Sequence, residues 1–516
     1  MRLRVGAMLG VLLAATLVST DPAHGGEETA LDRYIAAPDP SYQYKLLSTA
    51  VGDASTAYVL EMTSQQWRTS AEVDRPIWKH WLTIVKPQHL TTGTSLLLVS
   101  GGSNEKPPPQ VNPVLVELAL ATNSVISEIR MVPNQPLVFT GDGNRRSEDE
   151  ITAYTWEKFL TTGDETWPLR LPMTKSVVRA MDTISSFCAS PDGGGVPVGK
   201  FVVGGASKRG WTAWTVAAVD KRVAGIIPAV IDLLNLEPSF EHHYRSYGFW
   251  APAIAEFERA GITRWVHTPQ FEALIRIEDP FSYRDRITMP KFIVNSAGDQ
   301  YFLPDSSTFY FNELGGEKYL RYVPNTDHSL KGSYEDAAES ALAFYQSILT
   351  NTSPPRFLWN FEDDGSIRVK TETKPDAVKL WQAHNPKARD FRLETIGRAY
   401  ASSSLTDQGD GLYIGKVPEP KQGWTAYFVE MTFPGPGAYP RQVHDGRPRH
   451  PRPITLRAAP GSGTGRDEEP ARRRAVAERR QDYQMVIRWK DCRKAAAGSF
   501  LQRRFAGALA LLPRLY

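Results

Sequence analysis

The 516-residue chain carries a net charge of +3, is 41% hydrophobic, and holds 13 tryptophans but only two cysteines. That is enough material for two or more cores, and two cysteines exclude a disulfide-framed scaffold. Charge is unevenly spread, −8 over residues 1–440 and +11 over 441–516, so the overall balance says little about partners.

At the N-terminus, Arg2 and Arg4 precede an apolar run at 5–18 and a small-residue stretch with Ala23-His-Gly25. This pattern reads as a secretory signal over residues 1–25. The run is short for a bilayer span, which leaves an uncleaved anchor as the alternative. No later segment reaches 18 uninterrupted apolar residues. The mature chain is therefore expected to be secreted or periplasmic, with no stable membrane insertion after signal removal.

Two β-like runs follow at 56–62 and 76–85, rich in Tyr, Val, Trp and Ile. The run Ser95-Leu-Leu-Leu-Val-Ser100 is continuously apolar, as strands buried on both faces are. It ends in Gly101-Gly-Ser103. A helix is predicted at 114–121, a strand at 127–131, one long helical region over 149–188, and a strand at 201–203. Next come a turn around Ser207, an apolar helix at 211–219 and a strand at 223–231. Cys188, in its apolar helical stretch, reads as a core residue. Strands alternating with helices at this spacing predict βαβ units and a mostly parallel sheet with helices on both faces.

Residues 233–287 interrupt the alternation with helical but aromatic- and histidine-rich sequence, read either as a lid or as a plain helical hairpin. Tyr244 and Trp250 are its candidate substrate-facing residues. Strands resume at 291–295 and 318–323, and a helix at 334–349 closes a domain assigned to 26–353. Short strands at 356–361, 366–371, 379–382, 391–395, 412–414 and 425–432 predict a small β-sandwich-like domain over 354–440.

The tail, 441–516, contains 16 arginines among Ala, Gly and Pro. A disordered basic tail, an anionic-surface patch and a shifted reading frame compete here. The abrupt break and the GC-rich codons of these residues favour the last. The tail is expected to pack little against the body, apart from a short helix near 472–489. No nucleic-acid-binding module is visible, so no nucleic-acid partner is expected.

The chemistry concentrates at three places. In Lys200-Phe-Val-Val-Gly-Gly-Ala-Ser-Lys-Arg-Gly-Trp211, Ser207 is pinned between a strand and a helix by Gly205 and Gly210. Such a turn exposes a nucleophilic serine at the carboxyl edge of a sheet. Asp299 follows the strand at 291–295, and His328 follows the strand at 318–323. The order Ser, Asp, His suits a relay in which imidazole takes the serine proton and a carboxylate fixes the imidazole's tautomer. Asp305 and Asp232 are alternative acids, and His242 and His243 are the next histidine candidates. The oxyanion hole is assigned to the N–H of Lys208 and to the turn at Gly102 and Ser103. Arg209 reads either as a ligand for a substrate carboxylate or as a cover for the helix start. No metal-ligand spacing or phosphate-cradling loop is present, so neither metal nor cofactor is expected.

Gly204-Gly-Ala-Ser-Lys-Arg-Gly-Trp211, the Ser-Ala-Gly-Asp-Gln-Tyr-Phe-Leu-Pro-Asp run at 296–305 and the Pro-Asn-Thr-Asp-His-Ser run at 324–329 resemble the PhoPQ-activated pathogenicity-related protein family. The likeness covers about residues 30–440. It implies an exported protein of the α/β-hydrolase superfamily with Ser207, Asp299 and His328 at the triad positions. The chain departs from the family after Gly437, where the arginine-rich tail replaces a closing strand. The elbow followed by Arg209 is also similar to that of glucuronoyl esterases, whose arginine helps hold the oxyanion. The expected activity is a serine hydrolase acting on an ester, less readily an amide, of a small-molecule or peptide substrate. The alternative is a silent relative that binds a peptide, envelope component or cell-surface receptor.

Overall fold

The computed structural model describes residues 28–436 and the backbone of a strand at 481–490. The signal-like run at 1–25 and the rest of the arginine-rich tail lie outside the described residues.

A capping box at Thr29 and Asp32 starts α1 (Ala30–Ala36). The main sheet then opens with an antiparallel meander, β1 (Gln43–Val51), β2 (Ser55–Gln66) and β3 (Ile77–Pro87). It continues with β4 (Thr94–Val99), β5 (Ile126–Ile129), β8 (Lys200–Ala206), β9 (Val223–Ala229), β10 (Lys291–Ser296) and β11 (Lys318–Val323). A small ribbon, β6 (Leu137–Val138) with β7 (Arg145–Arg146), lies outside this sheet. The nine strands run in the order β1-β2-β3-β5-β4-β8-β9-β10-β11. From β5 to β11 every neighbouring pair is parallel. With helices on both faces and a serine turn after β8, this is an α/β-hydrolase fold. The continuous apolar runs have the expected cause: β10 is buried at all six positions, as a central parallel strand must be.

The region 149–188 is not one helix. Gly163 takes a left-handed conformation (φ 72°) and its N–H caps Phe159 O, ending α3 (Asp149–Thr162). The second helix, α4 (Arg170–Ala189), begins after a short link whose Trp167 and Leu169 are buried. Together with α5 (Lys208–Val219) these helices cover one face, around buried Trp67, Trp78, Trp156, Trp211 and Trp214. The other face is covered by α2 (Pro113–Thr122), started by Asn112 and Pro113, and by α9 (Tyr334–Thr350). Cys188 is buried in the first core, which pushes its thiol up to about 12.

Past Pro354 and Pro355 the chain builds two small sheets. One holds β12 (Phe357–Phe361), β13 (Ile367–Thr371) and β16 (Leu412–Gly415); the other holds β14 (Ala377–Asn385), β15 (Ala401–Ser404) and β17 (Trp424–Pro434). Their facing side chains, among them Ile367, Val369, Leu380 and Val429, share one core with Val294 and Phe344 of the large domain. Two expectations need correction. Residues 391–395 are not a strand: they hold the four-residue helix α10 (Leu393–Ile396), and Leu393 N–H goes to Gly298 O instead of to a neighbouring strand. Nor do residues 481–490 belong to a helix. They form β18 (Gln481–Lys490), parallel to β17 from Thr425↔Gln481 to Pro434↔Lys490. The apolar residues Tyr483, Met485, Ile487 and Trp489 recur at every second position there, a strand period.

Candidate active site

At the end of β8 the chain reverses within one residue. Ser207 has φ 55° and ψ −129°, and Lys208 already opens α5. A left-handed φ strains any side-chain-bearing residue and is retained only where the surroundings enforce it. Here Ser207 N–H donates to Ala229 O at 2.8 Å, and Trp211 N–H donates to Ser207 O at 2.9 Å. The two flanking glycines are steric requirements. A Cβ on Gly205 would stand 2.7 Å from the Arg209 carbonyl, and one on Gly210 would stand 2.8 Å from Gly205 O.

The structure brings Asp299 and His328 together. His328 Nδ1 lies 2.8 Å from Asp299 Oδ2 and 3.0 Å from Oδ1, and both side chains are buried. The loops that carry them are cross-linked: Ser296 Oγ donates to Thr326 O at 2.7 Å, and His328 N–H donates to Gln300 Oε1 at 2.8 Å. The Tyr301 ring packs on the imidazole with centroids 4.3 Å apart. The alternative acids are engaged elsewhere. Asp305 pairs with His242 Nε2 at 2.9 Å and with Arg389; burial alone would raise its carboxyl, but these two partners hold it below the usual range. Asp232 accepts the hydroxyls of Tyr310 (2.6 Å) and Tyr322. Burial nonetheless pushes its carboxyl up to about 7, with Asp299 and Asp305 adding to the rise. His243 accepts Ala251 N–H at 3.1 Å, and burial lowers it to about 4.

Around the assigned oxyanion donors, Gly102 has φ 122°, a conformation that favours glycine, and Gly101 O accepts Met131 N–H at 2.8 Å. Ser103 Oγ accepts Glu105 N–H. Lys208 sits with its carbonyl held by Arg170 Nη1 at 2.7 Å, while its ammonium reaches Glu148 (2.6 Å) and Asp149 (3.0 Å).

Of the two readings of Arg209, its contacts favour the one in which it covers the helix start, since it is committed to the protein. Its guanidinium takes Glu148 through two 2.7 Å bonds and Val132 O through Nε at 2.6 Å, and it is buried. Glu148 is the residue that sequence reasoning missed. It too is strained, at φ 52° and ψ −126°, and its N–H donates to Gln135 Oε1 at 2.8 Å. Burial alone would raise its carboxyl, but Arg209 and Lys208 hold it well below the usual carboxylate range. No pattern in the acidic stretch at 148–150 singles it out, because its partners lie some 60 residues downstream.

The segment after β9 forms α6 (Leu236–Tyr247), the short α7 (Ala255–Arg259) and α8 (Pro269–Glu278). Tyr244 is 49% exposed, and its ring meets Trp250 at 5.1 Å. Behind them, Phe240 and His243 pack on the same tryptophan. Phe257 packs on Trp156 of α3, and His242 on Phe309 just beyond Asp305. The insertion therefore packs on α3 and on the segment that follows Asp299.

Among known proteins, the profile of the PhoPQ-activated pathogenicity-related protein family matches residues 31–392. Autocrine proliferation repressor protein A of Dictyostelium discoideum is 38% identical over 432 residues, which are 78% of this chain and 86% of that protein. Similar solved structures include an acetyl xylan esterase from Paenibacillus sp. R4 (17% identity, TM-score 0.41, 58% of this chain and 86% of that one). Another is a glucuronoyl esterase from Solibacter usitatus (13% identity, TM-score 0.37, 62% of this chain and 91% of that one).

Proposed function

The chain belongs to the PhoPQ-activated pathogenicity-related protein family, and from that premise we propose that it is an exported serine hydrolase cleaving an ester bond through an acyl-enzyme. The observation that carries this reading is the buried Asp299–His328 hydrogen bond at the carboxyl ends of β10 and β11. It sits in the same sheet as a strained serine turn after β8. In the proposed reaction Ser207 Oγ attacks the ester carbonyl while His328 Nε2 takes its proton. Asp299 accepts the Nδ1 hydrogen bond and so stabilises the imidazolium. The developing oxyanion is met by Lys208 N–H and by the turn at Gly102 and Ser103. His328 then returns the proton to the leaving alcohol, and a water repeats the sequence on the acyl-enzyme. Tyr244 and Trp250 line the approach and select the acyl or alcohol group. The substrate is a small-molecule or peptide ester.

The name of the Dictyostelium relative, a proliferation repressor, favours a second reading, in which the same fold binds a cell-surface receptor. A binding module has no use for a buried Asp–His pair, which ranks the enzyme first. Fluorophosphonate labelling separates the two. Labelled wild type with an unlabelled Ser207→Ala variant supports the enzyme; equal labelling of both, or of neither, rejects it.

A further inference from the structure

Residues 386–400 leave the small domain between β14 and β15 and run back across the large one. Three contacts reach the loops that hold Asp299 and His328. Leu393 N–H donates to Gly298 O at 2.9 Å, one residue before Asp299. Tyr400 OH donates to Ala297 O at 3.3 Å, two residues before it. Asn325, three residues before His328, pairs with the Tyr400 backbone twice: its Nδ2 donates to Tyr400 O at 2.9 Å, and its Oδ1 accepts Tyr400 N–H at 3.0 Å.

The fit is close. A Cβ on Gly298 would stand 3.1 Å from Leu393 Cβ, and Asn325 has the left-handed φ of 58° that lets its amide face the strap. The same strap reaches the lid. The Arg392 guanidinium, itself bonded to Asp390, lies 5.2 Å from the Tyr247 ring and 5.4 Å from Phe249. Arg389 joins His242 on Asp305.

We infer that this strap of the small domain is a positioning element of the active site, setting the Asp299 and His328 loops in register through Leu393, Tyr400 and Asn325. The inference rests on the proposed hydrolase reading for its kinetic consequence, and on the Asp299–His328 pair alone for its spectroscopic one. A hydrogen-bonded pair buried from water has no solvent to correct its geometry, so its alignment depends on what holds the two loops. A misplacement of about 1 Å from remote changes costs on the order of 100-fold in rate.

The test uses the full chain. Leu393→Pro removes one N–H at the first position of α10, where proline is accepted. The preceding Arg392, at φ −57° and ψ 139°, already has the conformation that proline demands. Leu393→Ala is its control, since it keeps the N–H. Asn325→Gly keeps the left-handed backbone but loses both side-chain bonds, and Asn325→Asp restores the acceptor for Tyr400 N–H.

With p-nitrophenyl acetate, Leu393→Pro and Asn325→Gly should lower kcat about 10- to 100-fold with KM nearly unchanged. Leu393→Ala should stay near wild type, and Asn325→Asp should recover part of the loss. Independently of turnover, the low-field proton resonance of the His328 Nδ1–H should broaden or shift in the two impaired variants. If either fails to fold, Tyr400→Phe, which removes only one hydroxyl, is read instead. Absence of turnover in the wild type defeats the hydrolase reading and leaves the resonance to judge the strap. Folded variants with an unaltered resonance overturn the strap itself.

Discussion

Ser207 and Asp299 make different demands on their surroundings, and their substitutions should fail differently. Ser207→Ala removes the proposed nucleophile from a turn that Gly205 and Gly210 still permit, so the fold should persist while fluorophosphonate labelling is lost. Asp299→Asn keeps the size of the side chain but stabilises the wrong imidazole tautomer, and turnover should fall by about 10⁴-fold. Wild-type turnover in that variant, with loss in Asp232→Asn, would move the acid to the end of β9.

Asp232 itself gives a pH prediction. Its folded carboxyl is raised to about 7 by burial, against about 3.9 unfolded. Between those values the native state binds the proton more tightly, so this group lowers stability as pH rises from about 4 to 7. The full effect is on the order of 4 kcal/mol at most. Asp232→Asn should therefore flatten the decline in urea midpoint over that window. A slope identical to that of the wild type would show that Asp232 ionises normally.

The element that matters most is the turn joining β8 to α5. Gly210 packs against both Gly205 O and Ile231, within 3.0 Å of where a Cβ would lie. Gly210→Ala must push α5 off the sheet, an overpacking that costs about 1–3 kcal/mol. It should also slow fluorophosphonate labelling, because Lys208 N–H moves with the helix. A thermal melt together with labelling rates checks both. The insertion after β9 gives the opposite expectation. Tyr244 is half exposed, on the outside of the aromatic cluster that Trp250 joins to Phe240 and His243. Tyr244→Ala should thus change relative rates among acetyl, butyryl and aromatic esters more than it changes melting temperature. Equal losses on every ester would reduce the lid to packing.

At the scale of the whole molecule, the small domain and the large one share a core. Phe292, Val294, Tyr319 and Phe344 cluster with Val369, Leu380 and Val429, so the two should unfold together in calorimetry. The strand β18 extends the second small sheet along ten residues of β17. A chain ended at residue 440 leaves that ladder unpaired. It should melt lower, by about 1 °C for each kcal/mol lost, because a body of about 400 residues that unfolds as one unit has a correspondingly large unfolding entropy. An unchanged melting temperature would mean that the strand adds nothing to stability. Among the described residues, no helix is long and apolar enough to cross a membrane.

Much of the α/β architecture was readable along the chain because its signals are local. Continuous apolar runs mark β4, β8 and β10, Gly205 and Gly210 bracket Ser207, and the aspartate and histidine each follow a strand. Choosing Asp299 over Asp305 and Asp232 was not a local matter. All three carboxylates end buried, and the choice rests on which one faces His328 and which are taken by His242, Arg389 and two tyrosines. The two readings of Arg209 could not be separated along the chain, because its partner Glu148 stands 61 residues earlier. Within the strap, residues 391–395 hold a short helix and not the expected strand because the Leu393 N–H goes to Gly298, 95 residues earlier in the chain. A one-dimensional pattern records the period of a helix or strand. Which loop meets which is fixed only when the sheet brings the ends of its strands to one edge.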